Sequence, residues 1–249
     1  MHKFFSQHGE DVILAKLFPG RNGTCVEVGA NDGMKFSNSY HFEQKGWTCV
    51  LVEPTAELCE RIREFRCAQL FECAASEVDG EAIFYVAEGA DLYSSLETKC
   101  TMANVISSQN VKVKNIRVNT RRLDNILEES NVRNIDFMSI DVEGHEISVL
   151  NGFTIERWQP RIVIIEDPTD LTETPVSKFM KERSYVRFYR SGGNDWYASP
   201  AERRHRSFLK LMFSRHWGLV GLAKAWLPEY IRRPLTLALR SRRKSIIQS

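Results

Sequence analysis

The chain is expected to fold as an open α/β sheet of mostly parallel strands with helices on both faces. Three runs carry that expectation. Thr24-Cys-Val-Glu-Val28 is a β-branched stretch that breaks at Gly29 and passes through small, turn-forming residues to Gly33. Trp47-Thr-Cys-Val-Leu-Val52 is a second apolar stretch, and it closes on an acid, Glu53. Asp136-Phe-Met-Ser-Ile-Asp141 is a third, followed by Gly144 and a helical pattern. Strands covered on both faces read as near-continuous apolar runs, and helical spacing between them marks crossover connections.

Each element follows from local chemistry. Helical spacing over 9–18 stops at Pro19-Gly20, and a helix over 38–45 stops at Gly46. Pro54 ends the second strand, and Ala56–Phe65 has helical spacing. Gln69–Ala75 reads as a third strand, with Ala74 and Ala75 small enough for a flat ring to lie against the backbone. Residues 81–86 alternate after the Asp79-Gly80 turn as an extra strand. Residues 88–110 are polar and irregular, read either as a substrate lid or as a plain surface excursion. Residues 111–120 alternate as an edge strand guarded by lysines, and a helix follows over 122–129. A strand over 135–141, a helix over 145–151, a strand over 161–166 and a helix over 174–182 come next. Residues 185–189 and 195–198 then close a seven-stranded sheet as an antiparallel hairpin.

At 249 residues the chain accommodates one α/β domain, assigned to 1–200, and an appendage, assigned to 201–249. Hydrophobic residues at 43% and charged residues at 27% are ordinary for a globular protein, which argues against a disordered or fibrous chain. The six cysteines show no metal-binding spacing, and a disulfide framework is not expected at this size, so a reducing cytoplasm is the expected location. No stretch has the length and apolarity of a signal peptide or a membrane span.

The net charge of +2 conceals a division. Residues 201–249 carry twelve Lys and Arg against Glu202 and Glu229, and the rest of the chain is acidic. From Phe208 the apolar residues fall on one side of a helical wheel with basic residues opposite. Such an amphipathic helix suits an anionic membrane surface, so a peripheral place at the inner face of the membrane is expected; docking on the acidic body and a dimer contact compete. Nucleic acid is a less expected partner, because it would leave the acidic motifs idle.

The motifs converge on ligand chemistry. A strand ending in a glycine turn is where an open α/β sheet receives a nucleotide-like ligand, and glycine lets the backbone approach it closely. An acid at the end of the second strand accepts both ribose hydroxyls, which assigns Glu53, 24 positions after Gly29. Ser139, Asp141, Glu143, His145 and Glu146 gather at one strand end, a density of polar groups that is costly in a core and suits an active-site rim.

Val-Glu-Val-Gly-Ala-Asn-Asp-Gly (26–33), Leu-Val-Glu-Pro (51–54), Val-Asn-Thr-Arg-Arg-Leu-Asp-Asn-Ile-Leu (118–127) and Ser-Ile-Asp-Val-Glu-Gly-His-Glu (139–146) occur in that order. Together with Ser6-Gln-His-Gly-Glu-Asp11 the set resembles the FkbM-type family of S-adenosylmethionine-dependent methyltransferases, over about residues 6–198. The resemblance implies a Rossmann-like class I methyltransferase fold and O-methyl transfer to a hydroxyl of a sugar, glycan or glycolipid precursor, or other natural product. No Asn/Asp-Pro-Pro-Tyr motif of the nucleobase amino-methyltransferases is present.

Under this resemblance Gly29 and Asn31 lie against the methionine part of the cofactor and Glu53 against the ribose. Ala74 lies at the adenine, and Glu27 and Asp32 are candidates for the cationic amino end. His145 is the expected base or acceptor-orienting residue, with Asp141 and Glu143 beside it. Asp141, Glu166 and Asp167 end adjacent strands, and oxygen ligands placed so suit Mg²⁺ or Mn²⁺. A nicotinamide-dependent dehydrogenase competes on the glycine turn and the acid, yet the G-x-G-x-x-G pattern is missing. A cofactor-binding protein with a nucleic-acid- or membrane-binding tail and no O-methyl transfer is the other alternative.

Overall fold

The computed structural model describes residues 4–87, 96, 113–169 and 173–202. The basic extension from residue 203 and nearly all of the 88–110 segment lie outside the described residues.

Seven strands form one sheet. In chain order they are β1 (Thr24–Val28), β2 (Thr48–Glu53), β3 (Gln69–Glu72), β7 (Phe137–Ile140), β8 (Ile162–Glu166), β9 (Val186–Ser191) and β10 (Asn194–Ala198). Their spatial order is β3-β2-β1-β7-β8-β10-β9. The chain therefore builds outward from β1 to β3, then returns to the other side of β1 with β7, creating a switch point between β1 and β7. Neighbours pair in parallel except β10, which runs antiparallel to both β8 and β9. The hairpin expected at the end is present, with its second strand inserted inside the sheet.

Side-chain alternation divides the core into two layers. Val26, Val28, Val50, Val52, Met138, Ile140, Val163 and Ile165 face one side. They pack there against α4 (Leu123–Glu129), α5 (Glu146–Asn151), α6 (Ile155–Trp158) and α7 (Pro175–Glu182). Cys25, Cys49, Phe137, Ile162 and Ile164 face the other side, against α1 (Glu10–Leu17) and α2 (Tyr40–Glu43). On that side Leu51 also meets Ile62 of α3 (Ala56–Phe65). Cover on both faces explains why the strands lack polar alternation. Helix α7 shows why local sequence can fix an end: Thr174 and Ser177 form a reciprocal capping box, and Pro175 occupies the first turn.

Two expectations need correction. The run 69–75 is not one strand. The Cys73 amide turns back to the Phe71 carbonyl (3.1 Å), and the chain leaves the large sheet there. It continues as β4 (Ala74–Ser76) in a second sheet with β5 (Gly80–Ala87) and β6 (Val113–Arg122). β6 is not an edge strand either, since it lies between β4 and β5. β4 pairs only with Thr120–Arg122, so the lysine-bearing first part of β6 meets β5 on one side alone among the described residues.

Candidate functional site

A cavity of about 330 Å³ lies at the carboxyl ends of β1, β2, β7 and β8, beside the switch point. Open α/β sheets receive ligands at this place. Gly29, Asn31 and Glu27 from β1 and its turn, Glu53 from β2, Ala74 from β4, and Asp141, Glu143 and His145 from the β7–α5 loop all line it. Glu166 at the end of β8 lines it too. The structure thus brings together the residues expected at the site except Asp32 and, of the candidate metal ligands, Asp167.

Asp32 serves the turn instead. Its Oδ1 accepts the amides of Met34 (2.9 Å) and Lys35 (2.7 Å), and the residue is not part of the cavity wall. A short acid in a turn finds local amides before it finds a ligand. The reason for Gly29 also differs from the expected one. Its φ is +84°, and a Cβ there would stand 1.8 Å from the Asp141 carbonyl oxygen, so the glycine is required first by the neighbouring strand end.

Glu27 is only 5% exposed and anchors the cavity wall. It accepts from the Ser37 hydroxyl (2.8 Å), the Ser39 hydroxyl (2.5 Å) and the Asn38 amide (2.6 Å). Arg66, 6% exposed, supports the same loop from behind. Its guanidinium donates to the Gly33 carbonyl (2.5 Å), the Ser39 hydroxyl (2.9 Å) and Glu43 (2.5 Å). Sequence pattern does not reveal Arg66, because one arginine after a helix reads as solvated charge. Glu53 is fixed by two backbone amides, Asn31 to Oε2 and Thr55 to Oε1, each at 2.9 Å. Ala74, Ala75, Phe84 and Leu96 form an apolar wall beside it.

The acidic half of the cavity is held by its own loop. Glu143 (φ +52°) and Gly144 (φ +101°) make a tight left-handed turn. Glu146 stabilises that turn by accepting the amides of Val142 (3.2 Å) and Gly144 (3.0 Å). His145 occupies the N-cap position of α5, and its Nε2 stands 3.1 Å from the Ser76 hydroxyl. Asp141 and Glu166 end adjacent strands with their carboxyl oxygens close together, and burial raises the proton affinity of both. Burial, then the charges of Asp141, Glu143 and Glu146, push Glu166 up to about 10. Burial, then Asp141 and Glu146, push Glu143 up to about 8. Oxygen atoms of Asp141, Glu143 and Glu166 lie within 4.8 Å of one another, a donor set of the kind that divalent cations accept. Asp167 is not in that group. Its Oδ1 accepts from Thr169, because adjacent residues of a strand point to opposite faces.

The tightly held proton of Glu166 has a consequence for stability. A carboxyl that holds its proton more tightly folded than unfolded loses stability as pH rises from its unfolded value, near 4.3, towards its folded one. Replacing Glu166 with glutamine removes that titration. The stability advantage of Glu166→Gln over the parent is therefore expected to grow steadily between pH 5 and pH 8, by up to about 1.4 kcal/mol per pH unit. Urea denaturation at both pH values measures it, and equal pH dependence in the two proteins would show that Glu166 holds no proton in the folded state over this range.

The family model of the methyltransferase FkbM domain matches residues 27–187. No curated protein matches the chain in sequence. Among solved structures the chain is similar to a precorrin-6y C5,15-methyltransferase from Geobacter metallireducens GS-15. That match has 12% identity and a TM-score of 0.42, covering 77% of this chain and 86% of that one. It is also similar to the METTL16 MTase domain at 9% identity and a TM-score of 0.40, covering 76% and 65% respectively.

Proposed function

Because this chain belongs to the FkbM methyltransferase family, we propose that it moves the methyl group of S-adenosylmethionine to a hydroxyl oxygen of a sugar, glycan precursor or other natural product. The observation that carries the reading is the cavity at the switch point, with Glu53 held on two amides at one end and the Asp141–Glu166 pair at the other. The residues fit the cofactor. Glu53 can accept two vicinal hydroxyls, and the Ala74–Phe84 wall offers an adenine ring a flat apolar surface.

Bound there, S-adenosylmethionine supplies an electrophilic methyl and a neutral thioether leaving group. The chain supplies position and a proton acceptor. A hydroxyl that attacks must lose its proton; Glu166 already carries one at neutral pH, so Asp141 or the ionised form of Glu143 is the acceptor, each with its proton affinity raised by burial. His145, tied to Ser76, orients the acceptor or shares in that transfer.

Isothermal titration of the full chain with S-adenosylmethionine and separately with NAD tests the reading. Micromolar binding of the first and none of the second is the expected result. The reverse pattern would establish a dehydrogenase-like site and end the methyltransferase proposal.

A further inference from the structure

The matched segment, 27–187, builds the cofactor half of the cavity, but part of the opposite wall comes from outside it. Gln7 and Glu10 from the N-terminal segment and Asn194 from the start of β10 also line the cavity. Asn194 is the register partner of Glu166, and a Glu166 oxygen lies within 4.8 Å of one of Asp141. A row therefore runs across the sheet from Asp141 through Glu166 and Asn194 to Glu10.

Glu10 is 1% exposed, and hydrogen bonds fix both of its oxygens. Oε1 accepts from the Ser191 hydroxyl (2.6 Å) and from the Asn194 side-chain amide (3.1 Å), and Oε2 accepts the His8 backbone amide (2.8 Å). A carboxylate only accepts, so the NH₂ of Asn194 must face Glu10 and its carbonyl oxygen must turn the other way. Glu10 thereby sets an otherwise ambiguous amide and directs an acceptor oxygen away from itself. Gln7, exposed at the same wall, carries the second carboxamide.

Charge narrows the ligand. Among the described lining residues six carry carboxyl groups, against the single ammonium of Lys35. Glu166 is protonated near neutral pH, but a phosphate or carboxylate brought to this wall would still meet the Glu10 carboxylate in a partly desolvated cavity, where repulsion is strong. Hydroxyls, which donate as well as accept, match it.

We propose that Gln7 and Asn194, the latter oriented by Glu10, form the acceptor subsite and select an uncharged, polyhydroxylated ligand. The subsite rests on the methyl-transfer reading above.

The test uses the full chain, methyl-tritiated S-adenosylmethionine, and a panel of neutral methyl hexosides with their 6-phosphates. Transfer to at least one neutral hexoside is expected, with kcat/KM at least about tenfold above that of its phosphate. Asn194→Ala and Gln7→Ala should each raise the KM of that hexoside about tenfold, with kcat nearly unchanged and cofactor Kd by calorimetry unaltered. Gln7 is exposed, so its variant reports on the subsite even if Asn194→Ala folds poorly. Preference for the phosphates would overturn the proposal, as would absence of transfer to every neutral hexoside while the cofactor binds. Variants that lower kcat without moving KM would also overturn it. Failure of the parent protein to bind S-adenosylmethionine would instead strike the methyl-transfer reading itself.

Discussion

Replacing Glu53 with alanine is expected to weaken S-adenosylmethionine binding by about 10- to 100-fold, the span that charge-assisted hydrogen bonds of about 1.5–3 kcal/mol produce. The carboxylate ends β2, is 5% exposed and is aimed by the amides of Asn31 and Thr55. Its orientation is set before any ligand arrives, so its interaction with a pair of ribose hydroxyls requires little ordering. Glu53→Gln should fall between alanine and the parent. Its NH₂ would face one of the two backbone N–H groups, leaving that donor without an acceptor. Calorimetry read beside a thermal melt separates binding from folding. A folded alanine variant with unchanged affinity would remove Glu53 from the ribose site.

Gly29→Ala is expected to cost about 3–5 kcal/mol of stability, a large share of the 5–15 kcal/mol typical of a domain. Two effects add. The φ of +84° is unfavourable for any residue with a Cβ, and that Cβ would stand 1.8 Å from the Asp141 carbonyl oxygen. The strands cannot part to make room. Gly29 donates to Val52 (2.9 Å), and Asp141 donates to Val28 (3.0 Å). Gly20→Ala isolates the first effect, since Gly20 has φ +63° and nothing lies within 4 Å of the place its Cβ would take. That control should cost about 1 kcal/mol. Equal losses in urea denaturation would show that the Asp141 carbonyl yields readily and that packing there is loose.

The features that could be read from sequence are those that local pattern encodes. Apolar runs located six of the seven strands of the large sheet closely, and the strand-end position of Glu53 placed it at the cavity. Glu143 and His145 were legible because polar residues crowded one strand end. The departures arise where a partner lies far along the chain or a local hydrogen bond decides. The bend at Cys73 depends on one backbone bond, and nothing in Gln69–Ala75 distinguishes a strand that crosses from one sheet to another. Asp32 resembled a cofactor ligand by its place in the motif, yet two amides within three residues captured it. Arg66 meets Gly33 across 33 positions and Asn194 meets Glu10 across 184, and no periodicity signals either pairing.

The reversed direction of β10 has a consequence for how such a protein can diversify. A parallel strand in that place would have presented a carboxyl-end loop leading into another helix, tied to the packing of a whole crossover. Here the cavity is lined instead by Asn194, the first residue of β10, directly after the short β9–β10 connection at Gly192-Gly193. A hairpin turn can change in length without repacking a helix or shifting β1 and β2, although at Gly192 a Cβ would stand 2.2 Å from the His8 ring. The architecture thus hangs one part of the cavity wall on a hairpin whose length is not tied to any crossover helix, while the ends of β1, β2 and β7 are held by the packing on both faces of the sheet.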